Sequence, residues 1–170
     1  ETAFDLGCHA IEKLLKNNQL KVSDIDGIIF CTQSPDYIMP SNPFLVHKHF
    51  HFESKVWAFD YNLACSGYVY GLSVISNLMN GGKFKKGLLL VGDKSSFSPS
   101  KTDKSTYPIF GDAGTASLLE YDSTAEEMHF NLQSDGSGKN SIIIEHGQSR
   151  NPFDKTLDDM VEFEPGISRS

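Results

Sequence analysis

Apolar residues along this chain recur with two different periods, and the alternation between them predicts an α/β protein. Ala3 to Leu15 place Phe4, Leu6, Ala10, Ile11, Leu14 and Leu15 near one side, which is the spacing of an amphipathic helix. After a polar turn, KVSDIDG, the segment GIIFCT (27–32) is continuously apolar, as expected of a strand covered on both faces. SPDYIMPSNP (34–43) holds three prolines and reads as a loop. Ser41 to Phe50 reads as a helix, with Ser41 or Asn42 as N-cap and Pro43 in its first turn. VWAFDYN (56–62) is a second strand, and Cys65 to Met79 is a helix stopped by Asn80, Gly81 and Gly82. GLLLVGD (87–93) is a third buried strand.

Strands separated by helices imply a parallel sheet between helical layers. The pattern changes after a polar loop from Lys94 to Tyr107. IFGDAGTASLLEYD, EMHFNLQSDG and SIIIEHG follow closely without long helices between them, so antiparallel strands are expected there and the sheet is expected to be mixed. Residues 1–146 are expected to form one domain. Residues 147–170 lack periodicity and read as a connecting or mobile segment. The chain opens already in helical rhythm, without an initiator methionine, and is read as a piece of a longer protein.

Composition narrows the function. With 170 residues, 39% hydrophobic and 22% charged, the chain has an ordinary globular balance. A net charge of -7 argues against nucleic acid as a partner, since phosphates reward a basic face. No apolar run approaches the roughly 20 residues of a membrane span. Cys8, Cys31 and Cys65 are an odd set without metal-ligand spacing, which fits a reducing, cytoplasmic setting better than a disulfide framework. His47 and His51 in HKHFH lie one helical turn apart, but no third ligand accompanies them, so they read as a solvated helix face. Cys8, in an amphipathic helix, and Cys31, in a buried strand, read as packing residues, and His129 and His146 as structural.

Cys65 differs. It follows a strand end and opens a helix, and Ala64, Ser66 and Gly67 around it are all small. A helix N-terminus presents free N–H groups and partial positive charge, which stabilise a thiolate and the oxygen of a carbonyl under attack. The competing reading of the spacing alone is a cysteine packed in a tight strand-to-helix turn.

The words around it decide between these. NLACSGYVYGL (62–72) resembles the nucleophile segment of the beta-ketoacyl-acyl carrier protein synthase III family, a branch of the thiolase superfamily. DIDGIIFCTQSPDYIMPS (24–41), LLLVGDKSS (88–96), TDKSTYPIFGDAGTASLL (102–119) and LQSDGSG (132–138) resemble further segments of that family in the same order. The resemblance implies a thiolase-like fold, of which this chain would be the N-terminal half of a duplicated αβαβα five-layer architecture. It implies that Cys65 takes an acyl group from acyl-CoA, acetyl-CoA in the first instance. Malonyl-acyl carrier protein then loses carbon dioxide and attacks the thioester, which begins fatty acid synthesis. No metal or other cofactor is implied, and a homodimer is. The family's histidine and asparagine belong to the second half, so the 170 residues alone are expected not to condense substrates.

Other positions carry over by the same resemblance. Phe110 aligns with a phenylalanine near the acyl pocket, with core packing as the alternative. Lys104 stands where relatives have an arginine beside the adenine of coenzyme A; lysine lacks the planar stacking surface, and a solvated loop lysine is the alternative. Met39 matches a loop residue that reaches the neighbouring subunit's acyl pocket. Thr32 ends its strand and either lines the site or caps the loop. Ala113 and Thr115 depart from the more glycine-rich family turn. Two other functions remain open: transfer of the acyl group to a different acceptor, and a non-catalytic dimerisation or regulatory relative.

Overall fold

The computed structural model describes residues 1–152. Residues 153–170, most of the segment read as a connection, lie outside the described residues. Contacts divide the chain into two compact units, Glu1–Leu132 and Gln133–Ser170.

The first unit is built on a four-stranded sheet of order β2-β1-β3-β4. Strands β1 (Gly27–Cys31), β2 (Trp57–Tyr61) and β3 (Lys86–Lys94) run parallel, and β4 (Asp112–Glu120) pairs antiparallel with β3, giving the mixed sheet expected. Every residue of β1 is buried, because the strand is central and covered on both faces. Side-chain alternation divides the core accordingly. Ile28, Phe30, Leu88 and Leu90 face one layer with Ile11, Val46 and Phe52. Ile29 and Leu89 face the other with Ile75, Met79 and Phe84.

Helices α1 (Ala3–Asn17) and α2 (Asn42–His49) carry the first of these layers, and α3 (Gly67–Asn80) the second. Helix α1 starts at a capping box: Thr2 accepts from the Asp5 N–H at 3.3 Å, and Asp5 accepts from the Thr2 N–H at 2.9 Å. The backbone N–H of Thr2, with the Thr2 hydroxyl beside it, holds the Asp5 carboxyl below the usual carboxylate range. Helix α2 starts after Ser41 with Pro43 in its first turn, as expected. His47 approaches the Glu53 carbonyl at 3.1 Å, and His51 adopts a positive φ of 55° just beyond the helix.

Two expected strands do not form. EMHFNLQSDG and SIIIEHG contain no strand; the second unit has one short 3-10 turn (Gly136–Gly138) and a bridge between Gln148 and Asn151 among its described residues. Ile142 is 90% exposed. β-branched residues supply strand propensity, but a strand is defined by its place in a paired ladder, and neither segment joins one among the described residues.

The buried thiol of Cys8 is pushed up to about 12 by desolvation, with Asp5 and Glu12 adding repulsion. A thiol raised in the folded state stabilises the fold fully below its ordinary value of 9.0 and loses that contribution as pH rises toward about 12. The urea midpoint is therefore expected to fall through this alkaline window, and to fall less steeply in Cys8→Ala. Leu90→Ala, at a fully buried centre of the sheet, is expected to lower unfolding free energy by about 2–5 kcal/mol. Urea titration reads both.

Candidate functional site

Because β1, β2 and β3 are parallel and β4 is antiparallel, the carboxyl ends of the first three and the start of the fourth lie at one end of the sheet. Thr32, Cys65 and Phe110 all come from segments leaving or entering that end, where open α/β sheets gather ligands. The topology thus brings these three segments to one end of the sheet.

Cys65 is exposed, whereas Cys8 and Cys31 are buried. It lies in the turn between β2 and α3, one residue before the N-cap, so the helix begins two residues later than its pattern indicates. The reason is local: the Gly67 N–H closes the turn onto the Ala64 carbonyl at 2.7 Å. Ser66 gives no side-chain cap to the first helical turn. The turn therefore presents an accessible sulfur just before the start of α3. Tyr68, in that first turn, is tied to β4 through its hydroxyl, 3.2 Å from Ser117 Oγ.

Thr32 is buried, and its hydroxyl donates to Asp93 Oδ1 at 2.9 Å. The same oxygen accepts from the Gln33 N–H at 2.6 Å, the Ser34 N–H at 3.0 Å and the Ser34 hydroxyl at 3.1 Å. The Lys94 N–H in turn donates to Ser34 Oγ at 2.7 Å. Asp93 is thus the knot that fastens the start of the β1–α2 loop to β3. The far end of that loop is fastened by Asp36 and Asn42, which exchange hydrogen bonds of 3.0 and 3.1 Å. Between the two ties, Met39 stands 81% exposed, beside the exposed Tyr37 and Ile38.

Phe110 is 46% exposed, outside the core, directly after the 3-10 turn Tyr107–Ile109. Lys104 is exposed on a turn folded around Asp103, which accepts from the Ser105 hydroxyl at 2.6 Å and from the Ser105 and Thr106 N–H groups. Those bonds, the Ser105 side chain foremost, hold the Asp103 carboxyl well below the usual range. Ser96 does the same for Asp112, through its hydroxyl at 2.7 Å and its N–H at 2.8 Å. Among the described residues no group of three or more His, Cys, Asp or Glu side chains is placed to hold a metal ion. No helix among them is long and apolar enough to cross a membrane.

Asp93 was not singled out by sequence reasoning, because an aspartate ending a strand looks like any polar terminus. Cys31 and Tyr61 were also missed as neighbours of the cysteine turn. Their only sequence signal is the pair of glycines, Gly67 and Gly71, one helical turn apart on α3.

Known proteins resemble this chain in sequence and fold. The family model for 3-oxoacyl-[acyl-carrier-protein] synthase III matches residues 59–136, which include the cysteine turn, β3 and β4. A Streptococcus agalactiae beta-ketoacyl-[acyl-carrier-protein] synthase III is 35% identical over 162 residues, covering 94% of this chain and 49% of that protein. A crystal structure of a 3-oxoacyl-(acyl-carrier-protein) synthase III superposes with a TM-score of 0.87 at 34% identity, over 91% of this chain and 47% of the other. The Burkholderia xenovorans 3-oxoacyl-(acyl-carrier protein) synthase gives 0.80 at 34% identity, over 94% and 46%. The chain spans about half the length of the curated relatives it matches, and its mixed sheet with helical layers corresponds to the N-terminal half of a thiolase-like fold. Identity of about a third over nearly the whole chain, with the family model matched across the cysteine turn, identifies this chain with the N-terminal half of the beta-ketoacyl-acyl carrier protein synthase III family.

Proposed function

We propose that this chain supplies the nucleophile of an acyltransferase that performs decarboxylative Claisen condensation and begins fatty acid synthesis. The observation that carries the reading is the exposure of Cys65 in the β2–α3 turn, inside the segment matched by the family model. The Cys65 sulfur attacks the carbonyl carbon of acetyl-CoA, a carbon–sulfur bond forms, and the coenzyme A thiolate leaves. Malonyl-acyl carrier protein then releases carbon dioxide, and the electron pair left on its α-carbon attacks the new thioester. The Cys65 thiolate departs, leaving a 3-oxoacyl chain on the carrier protein. Sulfur suits both steps because it is a good nucleophile and a good leaving group.

The remaining residues take graded places in this scheme. Phe110, exposed at the rim, faces the acyl chain. Lys104, on its Asp103-folded turn, meets coenzyme A as a point charge without stacking. Met39, on the loop fastened by Asp93 and Asp36, reaches the partner subunit of a homodimer. Thr32, buried and bound to Asp93, fixes the loop and does not touch substrate. The reaction needs no metal or other cofactor, its setting is cytoplasmic, and the histidine and asparagine that support decarboxylation come from outside these 170 residues, which alone do not condense.

Two outcomes follow. Brief iodoacetamide treatment at neutral pH, read by peptide mapping, is expected to label Cys65 and to leave Cys8 and Cys31 unlabelled until denaturant is added; equal labelling of all three in the native state contradicts the exposure argument. With acetyl-CoA and malonyl-acyl carrier protein, the intact protein is expected to release carbon dioxide and form 3-oxoacyl carrier protein, and Cys65→Ala to form none. Acyl transfer to another acceptor without carbon dioxide release would replace condensation with simple transfer.

A further inference from the structure

Beneath the turn that carries Cys65, two neighbouring strand residues reach up into it from the sheet. Cys31 and Tyr61 are register partners at the ends of β1 and β2. The Cys31 thiol donates to the Leu63 carbonyl at 3.2 Å, two residues before Cys65. The Tyr61 hydroxyl donates to the Gly67 carbonyl at 2.7 Å, two residues after it. The turn is thus held at equal sequence distance on either side of the exposed sulfur.

The opposing helix is cut to receive these two side chains. A Cβ on Gly67 would overlap Cys31 Sγ, and a Cβ on Gly71 would overlap the Tyr61 hydroxyl oxygen and the Leu89 methyl groups beside it. Neither glycine has a positive φ, so close approach and not backbone conformation explains them. Each donor is therefore matched by a missing side chain, one helical turn apart along α3. Burial pushes both the Cys31 thiol and the Tyr61 hydroxyl up from their ordinary values, which keeps both protonated and able to donate.

We infer that Cys31 and Tyr61 are positioning residues, a two-point clamp that sets the Cys65 turn against the start of α3 without touching substrate. The inference rests on the reading of Cys65 as the acyl-accepting nucleophile. A reacting atom displaced by about 1 Å costs on the order of 100-fold in rate; loss of one of two fixing points is expected to cost about tenfold.

The test compares Cys31→Ala, Cys31→Ser and Tyr61→Phe in the intact protein by two readouts. Amide hydrogen exchange of the peptide spanning residues 62–72 is expected to quicken in Cys31→Ala and Tyr61→Phe, with peptides from α1 unchanged. The kcat for acyl transfer from acetyl-CoA is expected to fall about tenfold with KM unchanged, the pattern of an interaction felt in the transition state. Cys31→Ser, which keeps a donor on the same stem, is expected to restore most of both. Tyr61→Phe removes a single oxygen, so it answers the question if Cys31→Ala does not fold. Unchanged exchange and kcat in the alanine and phenylalanine variants would overturn the clamp, as would a serine variant indistinguishable from alanine. Should the parent protein take no acyl group, quickened exchange still supports the clamp and unchanged exchange still overturns it; the missing reaction then counts against the acyl-transfer reading alone.

Discussion

The close approach of α3 to the ends of β1 and β2 is the constraint on which the rest of the site depends. A helix crossing a sheet normally stands off by the depth of its side chains. Here Gly67 and Gly71 remove that depth at two points, and Cys31 and Tyr61 fill the space. The result brings the first turn of α3 down over the strand ends, with Cys65 exposed at the entry. A larger residue at Gly67 has to displace Cys31 or the helix, and one at Gly71 has to displace Tyr61 and Leu89 or the helix. Partly buried hydrogen bonds such as these are costly to leave unmade, which makes the geometry specific as well as stable.

Asp93 plays the corresponding part on the adjoining loop. One carboxylate oxygen receives Thr32, Gln33 and both donors of Ser34, so the chain leaving β1 cannot wander before it reaches Met39. The Cys65 turn and the Met39 loop are thereby both referred to the same three parallel strands. A common rigid origin is what a site needs if its groups are to keep their separation while substrates come and go. It also explains how a chain spanning about half the length of its relatives holds a defined cysteine site: the supports of that site, β1, β2, β3 and α3, lie within it.

Much of this was legible in the residues. Continuous apolar runs such as GIIFC and GLLL identified strands buried on both faces, and the 3.6-residue rhythm of Ala3 to Leu15 identified α1, because those periods follow directly from which sides meet the core. Cys65 could be found because small neighbours and a strand-to-helix junction leave a local trace. Contacts between segments distant in sequence leave no such trace. Nothing near Cys31 says that its thiol meets Leu63, 32 residues later, and nothing near Asp93 says that four donors from residues 32–34 converge on it. The misread strands at 127–136 and 141–147 show the opposite failure. Propensity for strand was present, notably in Ile142, Ile143 and Ile144, all of them exposed, but pairing is a property of two segments and leaves no trace in either one alone.

The central claim is that the Cys65 sulfur accepts an acyl group. Incubation of the intact protein with acetyl-CoA, followed by mass analysis of the whole protein and of its peptides, tests this most directly. The account predicts one acetyl group per chain, borne by the peptide containing Cys65 and lost in Cys65→Ala. Failure to form any adduct with short acyl-CoA substrates, or an adduct that persists in Cys65→Ala, would contradict it.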